Sequence, residues 1–270
     1  MVERNTLLAV FAHPDDESIV AGGTLAQYAA QGWRTALICA TRGEWGPISD
    51  ESLADYDSLR EVRERELQAA CEVLGINWWC FLDIEDGGVA AVLGTEEEER
   101  ALEKIVHVIC ELRPQIVITF GPDGLYGHTD HVAVGRLTTK ACALAGDPKA
   151  FPQHTAESLS AHQVPELLYA TAPRGLYQNL VARLAEGGHE THLWGIPPEQ
   201  FGVPADEITT IIDIAPFLDH KLAAIRCHRT QLDDSHAFFH LTRDLAMEFL
   251  SHEFFKLAMN GYHVAARDYD

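Results

Sequence analysis

Histidine and aspartate are concentrated in two short motifs, HPDD at residues 13–16 and HTDH at residues 128–131. Imidazole and carboxylate groups are typical ligands of Zn²⁺, which in catalytic sites takes three protein ligands and leaves one position for water. A bound dication would also relieve the repulsion between the adjacent carboxylates of Asp15 and Asp16. Because neighbouring residues rarely both reach one ion, we expect one of them to ligate and the other to be available as a general base.

The first motif directly follows an apolar run that is typical of a strand buried on both faces, and the second lies at the end of the polar loop that follows another such run. These runs span residues 6–12 and 115–120, and two more predicted strands, at 34–41 and 77–84, also end in polar loops that contain glycine. The carboxyl ends of parallel strands line one edge of a sheet, where ligand sites form, so the four loops should converge on one cleft. The histidines and aspartates of the two motifs are His13, His128, His131, Asp15, Asp16 and Asp130.

Strands and helices alternate along the first half of the chain, which predicts an α/β fold. We expect a Rossmann-like, mostly parallel sheet with helices on both faces, in a single domain. The predicted helices span residues 24–32, 58–74, 96–112, 132–145, 216–229 and 243–259, and two later strands span 166–171 and 207–214. Gly22 and Gly23 are expected to turn the chain into its first helix.

The length of 270 residues and the hydrophobic content of 47% suit one large core. Since no repeat or linker interrupts the sequence, we expect residues 1–270 to form one domain with three parts. Residues 1–145 would form the core that carries the motifs, residues 146–215 a variable region that shapes the substrate cleft, and residues 216–270 the C-terminal helices.

The chain is strongly acidic, with 41 acids, 20 bases and a formal net charge of −21. This charge repels polyanions, so we expect neither nucleic acid nor a membrane surface as a partner. The first apolar run is short and flanked by acids, which excludes a signal peptide or a spanning segment at that place. Six cysteines without a C-x-x-C pair indicate reduced thiols, and therefore a cytoplasmic location.

Two motifs together, AHPDDE at residues 12–17 and GHTDH at residues 127–131, resemble those of the PIG-L/LmbE-like zinc N-deacetylases. The resemblance covers most of the first 145 residues in motif order. Shorter stretches also resemble the family: ATRGEWG at 40–46, VRERE at 62–66, EDGG at 85–88 and HRTQ at 228–231. The resemblance implies a metal-dependent hydrolase with this same fold class, and it makes a homo-oligomer a reasonable expectation.

Carried over residue by residue, the resemblance implies that His13, Asp16 and His131 hold one Zn²⁺ per chain. Fe²⁺ is compatible with the same set of two histidines and one aspartate. Asp15 is then the general base, and a protonated His128 stabilises the oxyanion of the tetrahedral intermediate.

The resemblance implies further roles around these residues. Asp130 would orient or charge His128, and Tyr126 would help to polarise the substrate carbonyl. Substrate contacts are implied at Arg63, Glu44 and Asp86. Ordinary structural uses compete with these three roles, because arginine on a charged helix forms i to i+4 pairs and acids in glycine turns cap backbone amides.

The expected reaction is hydrolysis of the N-acetyl amide of an N-acetylglucosamine-type conjugate, a small molecule, to acetate and a free amine. A two-metal phosphoesterase is an alternative, which would recruit Asp86 and Asp130 as additional ligands. A non-catalytic Rossmann-like ligand-binding module is another. It is disfavoured for nucleotides, because acids stand after the first strand where a pyrophosphate would lie.

Overall fold

The computed structural model describes residues 5–151 and 159–258. The strands are β1 (Thr6–Phe11), β2 (Arg34–Cys39), β3 (Trp78–Phe81), β4 (Ile116–Phe120), β5 (Glu166–Thr171), β6 (Thr210–Asp213) and β7 (His252–Leu257). The helices are α1 (Asp16–Ala30), α2 (Leu59–Leu74), the single turn α3 (Val89–Val92), α4 (Glu96–Leu112), α5 (Thr129–Ala145), α6 (Leu176–Glu186), α7 (Leu218–Ile225) and α8 (Arg243–Leu250).

All seven strands belong to one sheet in the order β3-β2-β1-β4-β5-β7-β6. Strands β1 to β5 are parallel, whereas β7 runs antiparallel to both of its neighbours, β5 and β6. The chain builds outward from β1 in one direction and from β4 in the other, so the strand order reverses between them. Ligand sites of open α/β sheets form at such a switch point.

Two layers of helices cover the sheet. α1 and α2 pack against each other and against α7, while α4 packs against α5, which also contacts β1 and β4. Every residue of β1 and β4 is buried, and the rings of Phe11 and Phe120 lie 5.1 Å apart between them. The prediction of an α/β fold with a mostly parallel sheet and helices on both faces is confirmed.

The predicted start of the first helix at residue 24 is wrong, because α1 already begins at Asp16. Gly22 and Gly23 therefore lie inside the helix and do not form a turn before it. Gly23 is needed there for close packing, since a Cβ atom at this position would lie 2.5 Å from Cβ of Ile214. The second motif is also helical in part, because α5 begins at Thr129 and not at residue 132.

The predicted helix over residues 243–259 is only half correct. Helix α8 ends at Leu250, and the chain continues as strand β7 between β5 and β6. The predicted helix over 216–229 is likewise shorter, at Leu218–Ile225. Met259, the predicted helix end, lies outside the described residues. Within the described ranges, no helix has both the length and the apolar character needed to cross a membrane.

Candidate metal and catalytic site

The polar loops that follow β1, β2, β3 and β4 meet at a cavity of about 400 Å³. Each loop contributes to its wall: His13 follows β1, Trp45 follows β2, Asp86 follows β3 and His128 follows β4. The two loops that carry the motifs are adjacent because β1 and β4 are neighbours in the sheet. The predicted convergence of the four loops is confirmed.

Three imidazoles face one another in this cavity. Ligand nitrogens of His13, His128 and His131 all lie within 4.8 Å of one another. Asp16 joins this group, since its Oδ1 lies 3.4 Å from His131 Nε2 and its Oδ2 lies 3.6 Å from His13 Nδ1. The structure thus brings the three expected metal ligands together and sets His128 beside them.

The hydrogen bond of His131 defines which of its nitrogens is free. Its Nδ1 lies 3.2 Å from the carbonyl oxygen of Gly124, which can only accept, so Nδ1 carries the hydrogen. Burial lowers the pKa of His131 to about 3, so the ring is neutral and Nε2 presents a lone pair. This lone pair faces Asp16 Oδ1, which is also an acceptor. A divalent cation bound by both would satisfy two buried acceptors that otherwise oppose each other.

The second oxygen of Asp16 is held by the backbone. Oδ2 accepts the N–H groups of Ala12, at 3.2 Å, and His13, at 2.8 Å. Burial favours the neutral acid, but His131 and His13 together hold the pKa of Asp16 well below its usual range. Asp16 is therefore a fixed, ionised carboxylate with one oxygen directed toward the imidazoles.

His13 lies among three carboxylates. Its Nε2 is 3.2 Å from Asp86 Oδ1 and 3.6 Å from Asp130 Oδ2, and these three residues form a second group with ligand atoms within 4.8 Å. Burial opposes a charge on this ring, but Asp130, Asp16 and Asp86 raise the pKa of His13 well above its usual value. The same acids explain why the ring is held in one place at the cavity wall.

Asp15 has an unusual backbone conformation. Its φ of 126° lies in a region that residues with a side chain rarely adopt, at a cost of about 1–3 kcal/mol. This conformation places the Asp15 side chain on the cavity wall. Burial raises the pKa of Asp15 to about 7, although the positive charge of Arg63 opposes the shift. A carboxyl group with a pKa near neutrality can both accept and release a proton.

Arg63 is buried with only 3% of its surface exposed, so it does not form the surface ion pairs typical of a charged helix. Its guanidinium donates to the carbonyl oxygens of Gly43, at 3.0 Å, and Pro14, at 2.5 Å, and to Asp15 Oδ2, at 3.2 Å. Gly43 has a φ of 67°, and a Cβ atom there would lie 2.3 Å from the guanidinium. Arg63 therefore positions Asp15 and also reaches the cavity wall.

His128 is the N-cap of α5, where its Nδ1 accepts the backbone N–H of Asp130 at 3.2 Å. Nε2 must therefore carry the hydrogen of the neutral ring. Burial lowers the pKa of His128, and His13 contributes to this shift, which favours the neutral ring. The Asp130 carboxylate accepts the N–H groups of Gly87, at 2.8 Å, and Val89, at 3.1 Å. It thus holds the loop after β3 and contacts His128 through its backbone.

Tyr126 packs on the histidines from the side of the cavity. Its ring centroid lies 5.2 Å from that of His131 and 5.9 Å from that of His128, in edge-to-face geometry. Burial raises the pKa of Tyr126, so its hydroxyl keeps its hydrogen and remains a donor. Leu125, just before it, has a φ of 67°, so this turn is strained as at Asp15.

The remaining expected substrate contacts differ in where they lie. Asp86 lines the cavity, and its Oδ2 accepts the backbone N–H of Trp45 at 3.0 Å. Glu44 is not among the residues that line the cavity, and its Oε1 accepts the backbone N–H of Asp86 at 3.1 Å. Glu44 therefore supports the loop. Trp45 and Trp194 both line the cavity, which their sequence positions alone did not establish.

Sequence reasoning missed one buried arrangement behind the site. Glu17, which is fully buried, forms an ion pair with His228, whose Nε2 lies 2.8 Å from Glu17 Oε1. Gln231 reaches the cavity wall and donates to the carbonyl oxygen of Pro47 at 3.0 Å. The HRTQ stretch was a signal for these residues, but it did not identify Glu17 as the partner of His228.

A cluster of histidine and aspartate at the switch point of a Rossmann-like sheet defines a candidate metal site of a hydrolase. The family model described as PIG-L, GlcNAc-PI de-N-acetylase, matches residues 8–142. A 1D-myo-inositol 2-acetamido-2-deoxy-alpha-D-glucopyranoside deacetylase of Thermomonospora curvata is 35% identical, with 93% of this chain and 89% of that protein covered. An enzyme of the same name from Streptomyces scabiei is also 35% identical, with 98% and 88% covered. The chain belongs to the PIG-L family, so the resemblance found in its motifs is confirmed.

Solved structures show the same fold. The N,N'-diacetylchitobiose deacetylase from Pyrococcus horikoshii has a TM-score of 0.68 at 20% identity, with 94% of this chain and 84% of that chain covered. GalB, a 4-carboxy-2-hydroxymuconate hydratase from Pseudomonas putida, has a TM-score of 0.67 at 19% identity, with 97% and 100% covered. A deacetylase and a hydratase thus share this architecture, so the fold alone does not define the reaction.

Proposed function

We propose that the protein removes the N-acetyl group from an N-acetylglucosamine conjugate, giving acetate and a free amine. The observation that carries the proposal is a pair of opposed buried acceptors, His131 Nε2 and Asp16 Oδ1, beside a carboxyl group whose pKa is near neutrality. The pair of acceptors suits a bound cation, and the carboxyl group suits a residue that moves a proton. Relatives named as N-acetylglucosaminide deacetylases, each about 35% identical, support the same reaction.

His13, Asp16 and His131 would hold the metal, with zinc as our first choice and Fe²⁺ as the second. A divalent ion at such a site lowers the pKa of a coordinated water and polarises a carbonyl group as a Lewis acid. The ring of His131 is fixed for this role by its hydrogen bond to Gly124 and by stacking on Phe120, with centroids 3.9 Å apart.

Asp15 is the proposed general base and then the general acid. It accepts a proton from the water whose oxygen forms a bond to the acetyl carbon. When the bond between that carbon and the nitrogen breaks, Asp15 returns the proton to the departing amine. Arg63 keeps the carboxylate oriented through its contact with Oδ2 at 3.2 Å.

His128 and Tyr126 would stabilise the carbonyl oxygen as negative charge develops on it. The Nε2–H of His128 and the hydroxyl of Tyr126 are both hydrogen-bond donors on the cavity wall. Such preorganised donors are worth about 3–4 kcal/mol each when they face the oxyanion. Asp130 supports them indirectly, since it positions His128 and holds the loop that carries Asp86.

We infer that the sugar packs against Trp45 and Trp194, which both line the cavity. Asp86 and Arg63 also line the cavity and are candidates to bind the hydroxyl groups of the sugar. The named relatives act on an inositol-linked N-acetylglucosamine, which makes this conjugate the first substrate to test. A cytoplasmic location and a homo-oligomeric state stay predictions.

Acetate release from a panel of N-acetylglucosamine conjugates, with and without chelator, tests the proposal together with metal analysis. Asp15→Asn should keep one metal per chain and lose activity by about 10²–10⁴-fold, as expected for loss of a general base. His131→Ala should lose the metal itself. An active Asp15→Asn enzyme would contradict the assignment, and two metal ions per chain would favour the phosphoesterase alternative.

A further inference from the structure

Contacts within the protein must hold the backbone of Asp15 in its strained conformation, and the roles proposed above do not identify all of them. Its φ of 126° persists only if surrounding contacts determine it. The Arg63 guanidinium contacts the Asp15 side chain and the carbonyl oxygen of Pro14, so it holds one side of the peptide unit between Pro14 and Asp15. The other side of that unit, the backbone N–H of Asp15, donates to Glu17 Oε2 at 3.1 Å, a carboxylate only two residues away.

Glu17 is itself held from a distant part of the chain. Its Oε1 accepts the hydroxyl of Ser18 at 2.5 Å and lies 2.8 Å from His228 Nε2. Glu17 and Ser18 have no exposed surface, and His228 has 1%. None of the three is among the residues that line the cavity, so none can contact a substrate there.

We propose that Glu17 and His228 are positioning residues that hold Asp15 in its strained, proton-transferring orientation. His228 fixes the Glu17 carboxylate from behind, and Glu17 fixes the Asp15 amide in front. The inference rests on the proposed function in one respect, because Asp15 is taken as the base. That Glu17 and His228 hold the Asp15 backbone does not depend on the reaction and can be measured without it.

The pair could instead serve stability alone, and the chain contains a matched control for that explanation. Lys221 and Glu253 form another buried ion pair, with 2.5 Å between Nζ and Oε1. It also contacts α1, but at Ile19, Gly23 and Thr24, and none of these contacts is made to the Asp15 N–H. A glutamate-to-glutamine change can therefore be made in each pair and compared.

The test combines steady-state kinetics on a conjugate that the wild type hydrolyses, metal analysis, and hydrogen exchange of the Asp15 amide. We expect Glu17→Ala to lower kcat at least tenfold with KM within twofold, to keep one metal per chain, and to speed exchange of the Asp15 amide at least tenfold. Glu17→Gln should recover part of kcat, because its carbonyl oxygen can still accept the Asp15 N–H. His228→Gln should lie between the two.

Glu253→Gln should lower the melting temperature and leave both kcat and the exchange of the Asp15 amide within twofold of wild type. If Glu17→Ala does not fold, kcat and exchange of the Asp15 amide in Glu17→Gln and His228→Gln are compared with those in Glu253→Gln instead. Unchanged exchange at Asp15 in the Glu17 and His228 variants would overturn the proposal, as would a loss of kcat that follows loss of metal. A wild type that hydrolyses no conjugate would refute the proposed function, and exchange would still decide the support of Asp15.

Discussion

Two buried ion pairs tie helix α1 to the C-terminal part of the chain, and they act on different parts of the helix. Glu17 and His228 meet at its first turn, beside the cavity. Lys221 and Glu253 meet alongside its middle. Both pairs are almost completely buried. Glu17 belongs to α1 and its partner His228 follows α7, whereas Lys221 lies on α7 and Glu253 on β7.

The difference lies in which backbone groups each pair satisfies. Glu17 accepts the N–H of Asp15, whose backbone is strained and whose side chain lines the cavity. Glu253 accepts the N–H of Gly23, at 2.9 Å, and Lys221 donates to the carbonyl oxygen of Ile19, at 2.6 Å. Residues 19 and 23 are the two that a regular helix would pair with each other. The second pair therefore anchors the helix, whereas the first acts on a residue of the site.

The largest expected effect is the removal of one partner from the anchoring pair. Glu253→Ala leaves the Lys221 ammonium buried without its carboxylate, which should destabilise the protein by about 3–5 kcal/mol. Denaturant unfolding of the purified variant measures this change. The kcat of the molecules that remain folded should stay within twofold of wild type. A variant of wild-type stability would contradict the structural role of this pair.

Removal of the Ser18 hydroxyl, which donates to the Glu17 carboxylate of the first pair, should have a smaller effect on stability. Ser18→Ala deletes the donor to Glu17 Oε1, a buried hydrogen bond to a charged group that is worth about 1.5–3 kcal/mol. Its loss of kcat should be less than that of Glu17→Ala, because the bond from Asp15 to Oε2 remains. Unfolding and kinetics on the two variants test this order. An equal loss of kcat in both would show that Ser18 is needed to orient the carboxylate.

The parallel half of the fold and the motif residues could be predicted because both signals are local. Buried parallel strands are continuous apolar runs, and β1 leads directly into the first motif, while residues 121–127 connect β4 to the second. The sequence of helix α4 contains the local signals of a helix: Thr95 as N-cap, four acids in the first turn and one apolar face. The order of strands and loops was then sufficient to bring His13 and His131 together.

The chain after β6 could not be predicted in the same way, because its structure depends on distant partners. Strand β7 follows α8 after a single residue, Ser251, and its pairing with β5 and β6 distinguishes it from a continuation of α8. The ion pair of Glu17 and His228 spans 211 positions, and neither residue indicates the other by spacing. Gly23 was misinterpreted for the same reason, since it faces Ile214 and not a turn.

A methyl group added beside the anchoring pair should cost less than the loss of a charge. In Gly23→Ala the new Cβ would lie 2.5 Å from Cβ of Ile214 and 2.6 Å from its Cγ1, so the branched side chain or the helix must shift. Such overpacking costs about 1–3 kcal/mol. Thermal and denaturant unfolding should both show the loss. Gly23→Ala combined with Ile214→Ala, which removes Cγ1 and Cδ1, should lose less than the sum of the single changes if the contact is the cause.

Substitution of the neighbouring glycine, Gly22, should change the free energy of unfolding least, and it should raise it. In Gly22→Ala the nearest atoms to the new Cβ are Lys221 Cγ at 3.5 Å and Leu74 Cδ2 at 3.6 Å, which are ordinary contacts. Alanine in place of a glycine inside a helix should therefore stabilise the protein by roughly 0.5–1 kcal/mol. Chemical denaturation of Gly22→Ala and Gly23→Ala side by side measures the change in the free energy of unfolding for each substitution. Destabilisation by both substitutions would indicate that α1 tolerates no added volume along this face, and that the anchoring pair is only one part of a tighter contact between α1 and α7.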